Sequence, residues 1–321
     1  MTMTTRYKHA NTEWMDSSFG LGIHWTSKSA AAQGNGPTLD HRSAVNNFNV
    51  RNFTEQLRRA NAKHCIFTLT HEEHFLPMPH ALLDAIYPGH TTERDLAGEL
   101  AESLHDAGIR VIFYYNHSCN GMKNQWKEAV GYSEGNLDLF AARICMIVEM
   151  ISRRYGKLVD GWWFDSCYSV DDRGIHHCAT SELGDWRFPW EALSEAAKIG
   201  NPGAAVTFNS GVDCLYMYTH HQDYYAGEIT ELNVSVDGPF YKFDGLHAHR
   251  WIPADTMAWV HCQPDSPFAA PRFETAEFKN FIEKHLARKA MVTLNVEIDQ
   301  TGQLNPATLK QIQAMKLTTY R

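Results

Sequence analysis

Asp165 follows Gly161-Trp162-Trp163-Phe164, so a carboxylate emerges from a bulky apolar run. Other apolar runs end the same way, on side chains that can bond or titrate: His24-Trp25, His71-Glu72-Glu73-His74, Tyr115-Asn116-His117, Asn209, Glu228, His261 and Asn295. Any one of these is explained by a cap or a loop hydrogen bond. All of them together predict a polar cup at one opening. Asp165 reads either as a helix cap or as a nucleophile held on a rigid strand end beside aromatic walls. Glycoside hydrolysis needs two carboxyl groups, one attacking or activating water and one protonating the leaving oxygen. Glu228, after Tyr224-Tyr225-Ala226-Gly227, is the candidate acid/base. Glu231, Asp223, Glu72 and Glu73 compete with it, because a retaining mechanism requires a carboxyl about 5–5.5 Å from Asp165. Trp and Tyr near the strand ends, Trp163 among them, offer flat faces for a sugar.

A metal is the rival chemistry. His71 and His74 have His-x-x-His spacing, which is not the helical HExxH of metalloproteases. Ile23-His24-Trp25 stands where a barrel metallohydrolase would carry HxH. The expectation is therefore no metal and no cofactor. His176-His177, His220-His221 and the His247/His249 pair read as loop residues.

These residues need strands to hold them. Apolar runs at 19–25, 64–71, 109–117, 161–166, 204–210, 223–229, 256–262 and 290–296 read as eight buried strands. Helical patterns at 52–62, 93–108, 137–156, 190–200, 273–290 and 305–315 alternate with them. Gly108 is a C-cap signal, and Arg153 and Arg154 suit a helix C-terminus. Met146 and Met150 are expected in the core, and the charged stretch 52–63 on a solvated face. Strands apolar on both faces belong to a parallel sheet covered by helices. Eight of them predict an α/β (β/α)8 TIM-like barrel, with its site at the strands' C-terminal ends.

Composition narrows the partners. The chain has 321 residues and a net charge of -8, which argues against nucleic acid or an anionic membrane as partner. No apolar run approaches the ~20 residues of a membrane span. The N-terminus lacks the apolar core of a secretory signal. Seven scattered Cys without a CxxC pair fit a reducing compartment. The expectation is a single domain over residues 1–321 in the cytoplasm.

At this point the residues resemble the α-L-fucosidases of glycoside hydrolase family 29. Phe19-Gly20-Leu21-Gly22-Ile23-His24-Trp25 resembles their FGLFIHWG first strand. Thr68-Leu69-Thr70-His71-Glu72-Glu73-His74-Phe75 falls where the family has TKHHDGF, and Arg94-Asp95 with Tyr114-Tyr115-Asn116 is similar to RD…YYS. Val159 to Asp165 resembles VDGLWFD, the nucleophile strand. Asp223 to Glu228 is similar to DFxTPE, and Met291 to Pro306 resembles LLNIGPDADGTIP. The colinear set covers residues 14 to 315.

The resemblance implies a retaining exo-glycosidase of a terminal α-L-fucoside or related sugar, on a carbohydrate or glycoconjugate substrate. Carried over by position, Asp165 is the nucleophile, His24 and His71 hold sugar hydroxyls, Tyr115 lies near the nucleophile and Trp25 lines the pocket. Asn116, Glu72, Glu73, His74 and Trp163 complete the expected sugar-facing set. The family's His pair is His71-Glu72 here, and its Asp-Gly is Glu73-His74. A carboxylate in place of a neutral donor changes the polarity a sugar meets, so a sugar other than fucose is an alternative. The metal-dependent hydrolase and a sugar-binding protein without catalysis are two more. Few residues follow the last helix, so no C-terminal β-sandwich is expected. The pocket is then closed by its own loops or by a second copy in a homo-oligomer.

Overall fold

The computed structural model describes residues 7–26, 29, 37–71, 73–117, 124–132, 137–167, 188–209, 211–213, 219–233, 246–255 and 268–317. Seven parallel strands form one sheet: β1 Phe19–Ile23, β2 His64–Thr70, β3 Arg110–Asn116, β4 Gly161–Asp165, β5 Ala205–Phe208, β6 His249–Pro253 and β7 Met291–Asn295. Their order is β5-β4-β3-β2-β1-β7-β6. Helices cover the connections: α1 His41–Asn47, α2 Val50–Arg59, α3 Ala81–Ile86, α4 Leu96–Asp106, α5 Asn124–Val130, α6 Asp138–Tyr155, α7 Trp190–Lys198, α8 Thr275–Ala287 and α9 Pro306–Met315.

Helix starts follow the sequence signals. Asp95 caps α4 by accepting from Gly98 N at 2.9 Å, and its carboxylate also accepts from Tyr155 and Arg154 at the end of α6. Asn305 caps α9 ahead of Pro306, a proline at the position where a missing N–H costs nothing. Gly108 follows α4 with φ +72, the left-handed geometry that ends a helix. On α6, Phe140, Ile144, Ile147, Val148 and Ile151 face the core. Met146 and Met150 do not: they are 51% and 38% exposed, on the face opposite that row. The charged face of α2 is solvated as expected, with Arg58 and Arg59 paired to Glu55.

The sheet has two faces with separate cores. Leu21, Ile23, Cys65, Phe67, Phe113, Trp162, Phe164, Val206 and Ile252 pack under the helices. Ile66, Ile112, Tyr114, Trp163, Ala205, Tyr224, Trp251 and Met291 form the other cluster, with Met15 from a 3-10 turn at Glu13–Met15. Ala205 lies on β5 and Trp251 on β6, the two edges of the sheet. Edges of a flat sheet cannot share a cluster, so the sheet curls round this inner core. Gly20 and Gly22 make room on that face. A Cβ at Gly20 would meet His64 at 2.3 Å, and one at Gly22 would meet the Trp251 indole at 2.3 Å.

Residues 223–229 lie between the two edges and are not a regular strand, contrary to the reading from sequence. On one side Asp223 N donates to Val206 O, and the Thr207 hydroxyl donates to Tyr224 O. On the other, Tyr224 and Glu228 pair in parallel with His247 and Trp251. The extended path breaks at Gly227, where φ is +72 and a Cβ would stand 2.0 Å from His249 O. No other residue fits there. Gly227→Ala is expected to destabilise the protein by about 3 kcal/mol or more, a fall of many degrees in melting temperature by circular dichroism. A variant that melts like the parent would contradict this packing.

β6 is the strand that sequence reading missed. The run chosen instead, 256–262, lies outside the described residues, as do His176, His177 and His261. His249 is not a loop residue: it sits on β6 facing the inner core, with His247 just before it. His64 Nε2 and His249 Nε2 both bond the Thr293 hydroxyl, at 2.8 and 2.7 Å, and Ser18 Oγ bonds His64 Nδ1. Burial lowers both imidazoles' pKa, that of His64 to about 3, so this layer is neutral polar packing.

Candidate active site

Asp165 ends β4 on the inner face. Parallel register sets Asn116 of β3 beside Asp165, and Tyr114 beside Trp163. The hydroxyl of Tyr114 donates to Asp165 Oδ2 at 2.5 Å, and Asn116 Nδ2 donates to the same oxygen at 3.3 Å. Asn209 Nδ2 donates to Asp165 Oδ1 at 2.9 Å. Three donors thus surround one carboxyl. Tyr114 is pushed well above the ordinary phenol range by burial and by the neighbouring Asp165, so it stays a donor.

Glu228 is the second carboxyl at this place. Its Oε2 accepts from the same Asn209 Nδ2 at 2.6 Å. The two accepting oxygens are therefore no farther apart than those two contacts laid end to end. Burial first, and then the charge of Asp165, hold the Glu228 carboxyl well above the usual range. Two carboxyls thus share one amide, one surrounded by donors and one whose surroundings favour its protonated form.

His24 follows β1 and donates from Nδ1 to Asn295 Oδ1 at 2.8 Å. Its ring stacks on Trp251 with centroids 5.1 Å apart, and His71 and Tyr114 meet it edge-on. Burial, with His71 next to it, lowers the His24 pKa to about 4, so the ring is neutral at pH 7. His71 stacks on Tyr114 with centroids 5.8 Å apart. The structure therefore brings together Asp165, Glu228, Asn116, His24 and His71.

Other expected site residues are elsewhere. Tyr115 faces the helix layer beside Phe164, and the tyrosine on Asp165 is Tyr114. Trp25 also faces the helix layer, against Phe48, Phe67 and His41, because it shares strand parity with Leu21 and Ile23. Trp163 is wholly buried two residues below Asp165, bonding Ala226 O and stacking on Tyr114. It supports the site from beneath. His74 lies flat on Trp126 at 3.8 Å, away from His71's stack. Glu73 is half-buried and helps raise Tyr87, on the same side as Trp126. Glu72 lies outside the described residues.

The competing carboxyls have other partners. Asp223 is buried between Lys198, His9, Ala10 N and Val206 N at the opposite end of the segment from Glu228. Glu231 is exposed and pairs with Arg272. Among the described residues, no group of three or more His, Cys, Asp or Glu side chains is placed to hold a metal ion. No helix among them is long and apolar enough to cross a membrane.

Sequence reading did not single out Tyr114 or Trp251 for the site. Asn209 and Asn295 were visible as strand ends, but nothing in their spacing marked them as partners of Asp165 and His24.

No protein-family model and no curated protein matches the chain. Solved structures do match it. The fold is shared with glycoside hydrolases. It is similar to the endo-fucoidan hydrolases MfFcnA4 and MfFcnA9 of glycoside hydrolase family 107, at 16% and 17% identity with TM-scores of 0.69 and 0.70. Each match covers 95% of this chain, which spans 53% and 63% of the lengths of those proteins. It is also similar to the α-L-fucosidase AlfC from Lactobacillus casei in complex with α-L-fucose, at 15% identity and TM-score 0.62, covering 95% of this chain and 98% of that one. The fucosidase-like resemblance of the sequence thus extends to the fold.

Ser166 adds a local cost beside Asp165. Its φ is +65, a conformation unfavourable for a residue with a Cβ, and its hydroxyl donates to Asn116 Oδ1 at 3.0 Å. That bond turns the Asn116 amide nitrogen toward Asp165. Ser166→Gly relieves about 1 kcal/mol of backbone strain but loosens the unfolded chain by a similar amount. Its melting temperature is expected to stay near the parent's. For any glycoside that the site turns over, kcat is expected to fall about tenfold as Asn116 loses its orientation. Thermal melting and kcat on one aryl glycoside check both, and unchanged kcat would remove Ser166 from the site's support.

Proposed function

We propose that this chain is a retaining exo-glycosidase that removes a terminal α-L-fucosyl or closely related sugar through a covalent glycosyl-aspartate. One observation carries the reading: Asp165 and Glu228 accept from the same nitrogen of Asn209. That arrangement holds their oxygens within the about 5–5.5 Å separation of retaining enzymes. Their environments support opposite roles, a carboxylate surrounded by donors and a carboxyl kept protonated. Asp165 attacks the anomeric carbon while Glu228 gives its proton to the leaving oxygen. Glu228, now ionised, takes a proton from water. The water oxygen attacks the anomeric carbon, and the bond to Asp165 breaks with both groups restored.

His24 donates to Asn295 from Nδ1, which makes Nε2 the unprotonated, accepting nitrogen of its neutral ring. His71, Tyr114 and Trp251 line the same inner face. Both carboxyls are largely covered, which suits a terminal sugar better than the middle of a chain. In this reading residues 223–229 complete a (β/α)8 barrel as its eighth stave, residues 1–321 act as one domain, and no cofactor takes part. The α-L-fucose held by AlfC in its structure supports fucose as the first sugar to test.

The test is a panel of aryl α-L-fucoside, galactosides, arabinosides and rhamnosides, with proton NMR of the first sugar released. The expected result is turnover of the fucoside with the α-anomer appearing first. Preference for another member would change the sugar alone. The β-anomer appearing first, or no turnover across the panel, would overturn the proposal.

A further inference from the structure

We propose that Asn209 is a positioning residue that holds the nucleophile and the acid in one fixed relation and dictates which oxygen of Glu228 carries the transferable proton. The proposal rests on the roles assigned above to Asp165 and Glu228.

Asn209 follows β5 and is completely buried behind the two carboxyls, so it touches no substrate. Its amide cannot turn over without loss. Oδ1 accepts from Gly211 N at 3.1 Å, which leaves Nδ2, with its two hydrogens, facing Asp165 and Glu228. One hydrogen goes to Asp165 Oδ1 and one to Glu228 Oε2. A flipped amide would set a carbonyl oxygen against two carboxyl oxygens and face its NH2 toward the Gly211 N–H.

The consequence for Glu228 is chemical. A protonated carboxyl has one oxygen that only accepts and one that donates. Oε2 is occupied as an acceptor, so the proton is kept on Oε1. In the first step Oε1 loses its proton to the leaving oxygen, and the negative charge that appears is met by the Asn209 N–H already on Oε2. In the second step Oε1 takes the proton of water. In both steps Asp165 Oδ1 stays tied to the same amide, so the distance between attack and protonation is set by one planar group. General catalysis depends steeply on such placement.

Removing the amide has a predictable direction. Glu228 loses a donor that favours its ionised form, so it holds its proton to higher pH. The experiment uses full-length protein with Asn209→Ala and with Asn209→Ser, which retains one donor, each checked for folding by circular dichroism. For an aryl glycoside that the parent hydrolyses, Asn209→Ala is expected to lower kcat about 100-fold. KM should change less than about threefold, and the alkaline limb of the kcat/KM pH profile, set by Glu228, should move to higher pH. Asn209→Ser should fall between it and the parent.

A second readout needs no turnover: carbon-13 NMR titration of the Glu228 carboxyl, assigned with Glu228→Gln. An upward move in either folded variant supports the role. An unmoved Glu228 titration in a folded variant overturns it. A parent that hydrolyses nothing while the titration still moves would refute the proposed function and leave the coupling by Asn209 standing.

Discussion

Asp165→Asn is expected to lower kcat on an aryl α-L-fucoside by about 10^4-fold or more, the order of loss when a covalent nucleophile is removed, while the protein stays folded and keeps its sugar affinity. The replacement is isosteric, and the surrounding groups decide how it sits. Asn209 presents a donor to the Oδ1 side, so the new amide oxygen must face it. The new NH2 then faces Tyr114 and Asn116. The Tyr114 hydroxyl can turn from donor to acceptor, while Asn116 Nδ2 loses its long 3.3 Å bond, a cost of about 1 kcal/mol that leaves the protein folded. What disappears is the negative charge that the proposed mechanism directs at the anomeric carbon. A slow 2-fluoro aryl glycoside should label a peptide containing Asp165 in the parent, seen as added mass, and leave the variant unlabelled. Undiminished turnover in the variant would remove Asp165 from the chemistry and with it the proposed mechanism.

Much of this site was legible because strand ends are easy to read. A carboxylate after Trp162-Trp163-Phe164 marks itself, and so does Glu228 after Gly227. Which neighbours touch them follows from a simpler rule that the family resemblance obscured. Side chains alternate along a strand, so on β3 the residue on Asp165's face must share parity with Asn116. That residue is Tyr114, not Tyr115. The same count puts Trp25 with Leu21 and Ile23 under the helices, and Trp163 below Asp165 rather than beside a substrate.

β6 was hidden for a different reason. His249-Arg250-Trp251-Ile252-Pro253 carries a charge, an imidazole and a proline, and reads as loop. It is a strand because both faces are filled. The Trp251 indole occupies the space that a Cβ at Gly22 would need, 2.3 Å from it, and Ile252 packs under the helices. Hydrophobic patterning cannot show a partner supplied by a glycine 229 positions earlier, as the paired numbers Gly22 and Trp251 make plain. Asn209 was unreadable in the same sense. Its type is common after strands, and only the fold shows that two carboxyls meet on it.

Glu228→Ala is expected to separate the two steps of the reaction. Protonation of the leaving group matters little for a nitrophenolate and greatly for a sugar or alcohol. The loss on unactivated glycosides should therefore reach about 10^2–10^4-fold, the range for general acid–base catalysis, and should be smaller for the first step on nitrophenyl glycosides. Water then lacks its base, so the glycosyl-enzyme accumulates. Azide, which needs no base, should restore turnover and give a glycosyl azide of retained configuration. The alkaline limb of the pH profile should also vanish, because it reports the loss of the Glu228 proton.

Stability moves the other way. Burial and the charge of Asp165 hold the folded Glu228 carboxyl well above the ordinary carboxyl range, so the folded protein holds its proton to a higher pH than the unfolded chain does. This group's contribution to stability is present at low pH and is lost as pH rises from the ordinary carboxyl range toward the folded value. Glu228→Gln keeps the acceptor that Asn209 bonds and has no charge to bury. It should melt higher than the parent near about pH 8 and close to it near about pH 4, while hydrolysing unactivated glycosides poorly. An equal melting difference at both pH values would mean that Glu228 titrates normally. The assignment of the acid would then pass to another carboxyl.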